Sequence, residues 1–412
     1  MRPAPRALTV SSTLGSVLLA CGGAGSAPGG AGGVRDTLPD GTPVVRYASL
    51  ATTTEAATLT PDLRIGSLDG NGPDVFGDVR GIEADAHGDI YVLDYQAAEI
   101  RVFGPDGGYR RTLSRRGEGP GELGDANGIV LAGDTLFAYD HSKWVMMGLD
   151  RTGGDEVVRY PTPVRSYGYM WSGARDDRGR FWKSTSHSDA PPTFPPEEGL
   201  NEGTSRVYLK VYDPATERYD SLPVGQRTYR SWVTRVGTGY SMASIPFRAS
   251  ELTVVDPAGG FWTTASTAYR IARLDAGGDT TLVIEASVEP LPVTAADREA
   301  FVAPRAERGP EQERAARAML DHAPETHPVL ATLFVSPDGD LWVERTTAAD
   351  APTLYDVFTR DGDYRGSMRL DFTISAYLHP RVRGEHLYAL SPGELDEAYV
   401  VRAPLPEWAA GG

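Results

Sequence analysis

Residues 85–93 read DAHGDIYVL, and variants of this short stretch recur along the 412-residue chain. The variants read DDRGRFW at 176–182, DPAGGFW at 256–262, SPDGDLWV at 336–343 and, more weakly, GDTLF at 133–137 and GEHLY at 384–388. In the stronger copies an Asp or Ser side chain can satisfy turn amides, and a glycine can take the positive φ that a tight turn requires. An aromatic residue follows three positions after that glycine. The repeat predicts six similar units, each containing a tight β-turn.

A second hairpin follows the first turn of each unit. The clearest example has strands on either side of Asp106-Gly107-Gly108. Four antiparallel strands per repeated unit are typical of a β-propeller blade. We therefore predict an all-β, six-bladed β-propeller over residues 42–408, with the aromatic residue after each first turn packed between neighbouring blades.

The two ends of the repeat region are incomplete, and each can supply what the other lacks. Residues 59–66 have the pattern of an outer strand without the other three strands of its blade. The last unit has only three expected strands, near 374–382, 386–390 and 398–403. We predict that the N-terminal strand completes the last blade, which removes the open edges of the ring. Residues 42–50 are expected to add a further strand there.

A family resemblance accompanies these motifs. Residues 81–94, followed by Ile100–Phe103 and Arg116–Gly121, resemble an NHL-type repeat. Over roughly residues 59–405 the chain resembles the six-bladed, TolB-like propeller lipoproteins of bacteria. The resemblance is specific in the first blade and weak in the second and sixth. It implies the fold more strongly than the function, because such propellers act as enzymes, binding platforms and sensors.

The N-terminal residues have the pattern of an export signal. Arg2 and Arg6 precede an apolar stretch over 7–20 that is too short to span a bilayer comfortably. Residues 18–21 read LLAC, which resembles the lipobox of bacterial lipoproteins, and Cys21 is the only cysteine of the chain. We expect a signal peptide over 1–20 and, over 21–41, a lipidated Cys21 with a glycine-rich tether. The alternative is an ordinary cleaved signal peptide with a chance cysteine.

This pattern predicts a lipid-anchored protein of the cell envelope, outside the cytoplasm, on the periplasmic side of the outer membrane or on the cell surface. The net charge of −16, from 40 basic and 56 acidic residues, argues against a nucleic-acid partner. A single cysteine excludes an intramolecular disulfide framework and a thiolate zinc site. We expect a monomer whose only membrane contact is its anchor.

The long insertions are expected on one face of the propeller. Strand direction alternates within a blade, so the tight turns share one face and the remaining connections share the other. By this parity the insertions at 186–205, 226–247 and 289–328 all lie opposite the tight turns. The last of them predicts a helical segment between the fourth and fifth blades, about 294–323, with a capping pattern at Thr294. Elaborated loops on a rigid scaffold are the usual setting of a binding site.

The inner strands should begin on that elaborated face, close to the pore. Counting back from the turn glycines places there Arg80, Asn127, Trp171, Glu251, Ala331 and Ala376. Nearby loops add Tyr167, Tyr169, Tyr229, Trp232, Tyr240 and Arg248. As ligand-binding candidates we take Arg80, Asn127, Tyr169, Trp171, Arg248 and Glu251, because arginine and aromatic side chains suit recognition by stacking and charged hydrogen bonds.

Three functions remain open from the sequence. The first is a binding or interaction module for a peptide, a glycan, a small molecule or an envelope protein. The second is a lactonase-like or ester-cleaving hydrolase, or a lyase, with Glu251 and either His141 or His187 as its acid–base pair. The third is a structural envelope protein. No nucleophile-elbow, zinc-helix or phosphate-loop motif occurs, and one carboxylate is too few to hold a divalent cation, so we expect no metal and no cofactor.

Overall fold

The computed structural model describes residues 32–163, 175–188 and 196–410. The expected signal peptide and Cys21 lie outside these residues, as do Tyr167, Tyr169 and Trp171. The described chain opens with four short strands: β1 (Val34–Thr37), β2 (Pro43–Tyr47), β3 (Ala57–Leu59) and β4 (Leu63–Ile65).

The other elements follow in chain order and group into six sheets within the described ranges. Sheet 1 contains β5 (Val79–Ala84), β6 (Ile90–Asp94), β7 (Glu99–Phe103) and β8 (Tyr109–Thr112). Sheet 2 contains β9 (Ala126–Ala132), β10 (Thr135–Asp140), β11 (Val145–Asp150) and β12 (Glu156–Pro161). Sheet 3 contains β13 (Phe181–Ser188), β14 (Gly199–Asp213), β15 (Arg218–Val236) and β16 (Gly239–Ser244). Sheet 4 contains β17 (Leu252–Val255), β18 (Phe261–Thr264), β19 (Arg270–Leu274) and β20 (Thr280–Ala286), together with β2 and β1.

Two helices separate sheets 4 and 5. They are α1 (Ala295–Ala306) and α2 (Pro310–Leu320). Sheet 5 contains β21 (Leu330–Val335), β22 (Leu341–Arg345), β23 (Leu354–Phe358) and β24 (Tyr364–Leu370), with β3 at its edge. Sheet 6 contains β25 (Arg381–Arg383), β26 (His386–Pro392) and β27 (Ala398–Pro404), with β4 at its edge.

Apolar clusters join consecutive sheets in a closed cycle. The repeat aromatics lie in these clusters: Tyr91 between sheets 1 and 2, Phe137 between 2 and 3, Trp182 between 3 and 4, Trp262 between 4 and 5, Trp342 between 5 and 6, and Tyr388 between 6 and 1. Their packing between sheets is confirmed. The fold is thus mostly β, built largely from four-stranded sheets, and is consistent with a β-propeller.

The repeated turns form as their sequence predicts. Gly88 has φ +80°, and the backbone N–H groups of His87 and Asp89 donate to the Asp85 carboxylate. The turn beginning at Asp176 has the same arrangement, with Gly179 also at φ +80°. A residue with a Cβ would be strained at either glycine. We call the edge of the sheets that carries these turns the turn face, and the opposite edge the loop face.

The N-terminal segment confirms one expectation and corrects another. β4 pairs antiparallel with β27, with Ile65 opposite Val400, so the sixth sheet is completed by the N-terminal part of the chain as predicted. The strand near residues 42–50, however, does not join that sheet. β2 pairs parallel with β20 in sheet 4, with Val45 opposite Ile284. The reason is apolar packing, because Val45 and Tyr47 are buried in the cluster between sheets 4 and 5.

Sheet 6 and sheet 3 also depart from the expected strand limits. The segment expected as a strand over 374–382 pairs only at Arg381–Arg383. In sheet 3, the segment expected as a long insertion over 226–247 is mostly strand, since β15 runs to Val236 and β16 pairs back onto it. Its Tyr, Trp, Val and Thr residues favour extended structure. The inner strand expected near residue 171 lies outside the described residues.

Candidate functional site

The pore mouth on the turn face is a cavity of about 240 Å³. Every sheet, or a turn next to it, contributes to its wall, as shown by Glu83, Val130, Arg175, Pro257, Pro337 and Arg381. The six sheets therefore surround a common space. Arg381 forms an ion pair with Glu83 across this mouth. Burial raises the pKa of Glu83, and the Arg381 charge opposes that shift.

Arg80 and Asn127, which the sequence places at the starts of neighbouring inner strands, form one network. The Arg80 guanidinium donates to Asn127 Oδ1 and pairs with Asp78 at 2.7 Å. It also stacks 3.3 Å from the ring centroid of Tyr95. Asn127 is fully buried and its side chain lies 3.4 Å from His141 Nδ1. These contacts join sheets 1 and 2, so the two residues hold the inner strands together.

Arg248 lies in the connection between β16 and β17, next to β15 of sheet 3. Its guanidinium Nη2 lies 3.5 Å from the carbonyl oxygen of Thr228, a long hydrogen bond. Burial lowers the pKa of Arg248, and the charge of nearby Arg230 lowers it further. Arg230 has a carboxylate partner, Glu202, whereas within the described ranges Arg248 has no ion pair.

The acid–base pair that the alternative hydrolase or lyase function would require is not assembled among the described residues. Glu251 is exposed and lies near Gly225 of β15; burial of its carboxyl raises its pKa and Arg227 lowers it. His141 contacts Asn127, and His187 packs against the Tyr208 ring at a centroid distance of 5.6 Å. Across the described chain, no hydrogen bond or ion pair joins Glu251 to either histidine. The reason is that Glu251 lies near Gly225 of sheet 3, whereas His141 belongs to the network of Arg80 and Asn127.

The three insertions meet above sheets 3 to 5, as parity predicted. Residues 226–244, in β15 and β16, form what we call the sheet 3 ribbon. Arg227 of this ribbon donates to Ser186 Oγ at 2.7 Å, which joins it to the end of β13. The Trp232 ring lies 5.8 Å from that of His322, which follows α2. The Phe247 ring lies 5.0 Å from that of His327. The capping box predicted at Thr294 is present at the start of α1.

A further cavity of about 260 Å³ opens on the loop face between sheets 5 and 6. Ala331 and Ala376, which the sequence placed at the inner-strand starts, lie in its wall and are both exposed. Its polar lining includes Thr332, Glu344 and His379. Sequence reasoning missed these three. The sequence signal that could have revealed this cavity was the pair Ala331 and Ala376, because alanines leave room where the other inner strands begin with longer side chains.

The remaining candidates fall into two groups. Tyr169 and Trp171 lie outside the described residues, so their expected role is untested. Tyr229 and Tyr240 lie on the sheet 3 ribbon, where the Tyr229 ring covers Gly203 of the neighbouring strand. The structure thus brings Arg80 together with Asn127, and places Arg248 and Glu251 near sheet 3, without joining the two groups by a contact.

The described residues carry neither a cluster of metal ligands nor a membrane-spanning helix. In residues 32–163, 175–188 and 196–410 there is no group of three or more His, Cys, Asp or Glu side chains arranged to hold a metal ion. Neither α1 nor α2 has the length and apolar character needed to cross a membrane.

Comparisons with known proteins give structural similarity only. No protein-family model and no curated protein matches the chain. A member of the DUF4221 family from Bacteroides vulgatus has a TM-score of 0.45 at 11% identity, covering 84% of this chain and 97% of that one. A Bacteroides fragilis protein inferred to be exported has a TM-score of 0.44 at 11% identity, covering 85% of this chain and 95% of that one. Virginiamycin B lyase from Staphylococcus aureus has a TM-score of 0.36 at 10% identity, covering 80% and 95%. At this level of similarity, none of them assigns a family or an activity to this chain.

Proposed function

We propose that this chain is a six-bladed β-propeller, tethered to a membrane outside the cytoplasm, that binds a ligand or a partner protein through its loop face. Three observations support six blades: six sheets in the described ranges, apolar clusters that join them in a cycle, and one pore mouth lined from all six. The NHL-like pattern of residues 81–94 supports the same architecture.

The observation that carries the binding function is the asymmetry of the two faces. Short turns, such as those at Gly88 and Gly179, end the sheets on the turn face. On the loop face the sheet 3 ribbon and the helical insertion contact one another through Trp232 and His322. Binding surfaces are usually formed by long loops that a rigid scaffold holds on one face.

Charge suggests what part of a ligand Arg248 would contact. An arginine stays protonated at physiological pH and presents a planar set of donors that matches a carboxylate or phosphate. Arg248 is half-buried beside a second guanidinium, that of Arg230, which already has Glu202 as its partner. An anionic group on the ligand would supply the acceptor that Arg248 receives only weakly from Thr228.

The capture experiment compares the two faces directly. Affinity-tagged full-length chain is purified from the producing cells, and bound proteins and metabolites are identified by mass spectrometry. Arg248→Ala should reduce capture of the specific species about tenfold, the loss expected from one charge-assisted hydrogen bond. Arg383→Ala, an exposed arginine at the turn-face pore mouth, is the control and should capture normally. The proposal would be contradicted if only Arg383→Ala reduced capture, or if the wild type, Arg248→Ala and Arg383→Ala captured the species equally.

The tether has its own test. The proposal of a lipid anchor rests on LLAC at 18–21 and the glycine-rich residues after it. Metabolic labelling with palmitate should mark the wild-type protein and leave Cys21→Ser unlabelled, with release of the variant from the membrane fraction. Equal labelling of both proteins, or no labelling of the wild type, would show that Cys21 is not the anchor.

A further inference from the structure

The cavity between sheets 5 and 6 has an ordered polar wall. Thr332 of β21 lies directly opposite Glu344 of β22, and Glu344 lies directly opposite Tyr355 of β23. Directly opposed residues of neighbouring strands project from the same face of a sheet. The three side chains therefore form a row across sheet 5, and all three line the cavity.

Hydrogen bonds fix this row and connect it to sheet 6. The Tyr355 hydroxyl donates to Glu344 Oε2 at 3.1 Å. The Thr332 hydroxyl lies 3.1 Å from Nδ1 of His379, which belongs to the connection between β24 and β25. Tyr355 is fully buried, and Glu344 and His379 are half-buried. The polar groups are thus held in place before any ligand arrives, which lowers the ordering cost of binding.

The electrostatics of the cavity favour uncharged forms. Burial raises the pKa of Glu344, and burial lowers the pKa of His379 to about 4. The Arg381 charge lowers the His379 pKa further. Burial also raises the pKa of Tyr355 well above its usual value. Burying a charged group of a ligand among these side chains is costly unless a partner of opposite charge is supplied.

Size and shape narrow the ligand class. The volume of about 260 Å³ is just under the roughly 300–1,000 Å³ typical of pockets for drug-sized molecules, so one small molecule fits. Hydroxyl groups of Thr332, Thr353, Tyr355 and Ser375 line the cavity and can each donate and accept. Ile374 and Leu378 supply an apolar wall. A molecule whose surface alternates hydroxyl and C–H groups would complement such a lining.

We propose that the cavity between sheets 5 and 6 binds one small, uncharged, polyhydroxylated molecule of monosaccharide size. This inference rests on the proposed binding function, and it gives the loop face a ligand class. Its geometric basis is the row of Thr332, Glu344 and Tyr355, closed over by His379 and entered beside Ala331 and Ala376.

Calorimetric titration of the full-length chain tests the inference. The neutral probes are D-glucose, D-galactose, D-mannose and N-acetyl-D-glucosamine; the charged probes are D-glucuronate, D-galacturonate, D-mannuronate and D-glucosamine. At least one neutral sugar should bind, and the charged relative of that sugar should bind at least tenfold more weakly. Absence of binding by every neutral sugar, or equal binding of a charged relative, would overturn the proposal.

Three variants locate the binding. Ala376→Trp and, independently, Ala331→Trp should weaken sugar binding more than tenfold by filling the entrance. Both positions are exposed, so each variant should keep the wild-type melting temperature. Ala215→Trp, at an exposed turn on the opposite face, is the matched control and should bind normally. Glu344→Gln should bind within about threefold of wild type, since it keeps the shape of the side chain and an oxygen acceptor for the Tyr355 hydroxyl. Sugar binding that survives both entrance variants would place the site elsewhere and overturn the proposal.

The Arg248→Ala protein separates this inference from the proposed function. It should retain sugar binding, because Arg248 lies in the connection between β16 and β17 and does not line this cavity. Sugar binding lost in the entrance variants but kept in Arg248→Ala supports the inference. Failure of every sugar to bind, with Arg248-dependent capture intact, overturns the sugar site alone. Loss of Arg248-dependent capture with sugar binding intact overturns the capture proposal and leaves the cavity assignment standing.

Discussion

Sheets 1 and 3 share a turn motif but use its aspartate differently. In sheet 1, Asp85 accepts a hydrogen bond at 3.0 Å from Arg151, which lies in a turn of sheet 2. In sheet 3, Asp176 accepts one at 2.8 Å from Arg180 of its own turn. Both aspartates are buried. One therefore joins two sheets, whereas the other stabilises a single hairpin.

In sheet 4 the turn aspartate contacts the neighbouring sheet, as it does in sheet 1. Asp256 is fully buried and accepts two hydrogen bonds from Arg360 of sheet 5, at 2.8 and 2.6 Å. In sheets 1 and 4 the turn aspartate thus contacts a neighbouring sheet, whereas the sheet 3 turn reaches sheet 4 through its backbone, with the Asp177 N–H donating to the Pro257 carbonyl at 2.9 Å. Sheet 3 is also the sheet whose strands run past the blade, with β15 reaching 19 residues. The comparison indicates that the turn aspartates of sheets 1 and 4 couple neighbouring sheets, whereas that of sheet 3 stabilises its own turn.

The largest effect is expected from breaking the inter-sheet pair. Asp85→Ala should lower the free energy of unfolding by about 3–5 kcal/mol, because it removes the buried acceptor of the His87 and Asp89 N–H groups and leaves Arg151 with only its exposed carboxylate partner. Chemical denaturation measures the loss. A double-mutant cycle with Arg151→Ala should give a coupling of about 1–3 kcal/mol. Asp106→Ala, in an exposed turn, is the control and should change stability by less than about 1 kcal/mol. Additivity of Asp85→Ala and Arg151→Ala would show that the two residues do not support one another.

Stability should also depend on pH through the seam between sheets 5 and 6. His379 has a folded pKa of about 4, below its ordinary value of 6.5, so the unfolded chain binds the proton more readily. The contribution of neutral His379 is therefore fully present above pH 6.5 and is lost as the pH falls towards 4. The full loss is about 3 kcal/mol. His379→Gln should flatten this part of the unfolding free energy profile relative to wild type. Parallel profiles for the two proteins would contradict the shifted pKa.

The smallest effect is expected on the sheet 3 ribbon. Trp232 is half-buried and contacts His322 at a ring distance of 5.8 Å. Trp232→Ala should lower the free energy of unfolding by only about 1 kcal/mol, the value of one aromatic contact. Trp342→Ala, a fully buried repeat aromatic, is the matched comparison and should cost about 3–5 kcal/mol. Equal losses would show that the ribbon is as much a part of the core as the sheets are.

Features carried by local sequence were predictable. The turn glycines and the aromatic residues behind them recur at similar spacing, so the sheets could be counted from the pattern. Pairing of β4 with β27 followed from the missing strands at the two ends. The position of β2 did not follow, since Pro43–Tyr47 carries no turn motif and joins β20 by parallel pairing across more than half of the chain.

The candidate site was predictable only where inner strands adjoin. Arg80 and Asn127 start neighbouring strands, and their contact follows from the repeat. Arg151 and Arg360 both lie in the turn between the third and fourth strands of the following sheet, but they are 66 and 104 residues from their aspartates because the helical insertion falls within the second interval, so spacing alone did not assign them. The polar wall around Glu344 depends on cross-strand register, which sequence periodicity does not report at single-residue precision.

The central claim is a ring of sheets closed by the N-terminal strand, and a disulfide tests it most directly. In a Cys21→Ser background, Arg64→Cys combined with Val401→Cys places two thiols at directly paired positions of β4 and β27. Directly opposed Cα atoms lie about 4.5–5.5 Å apart, within disulfide range. Arg64→Cys with Ala403→Cys is the control, because a diagonal neighbour on the same face lies beyond easy reach. We predict quantitative cross-linking of the first pair by mass spectrometry, with a higher melting temperature, and little cross-linking of the second. Free thiols at positions 64 and 401 in the folded protein, or equal cross-linking of both pairs, would contradict the closed ring.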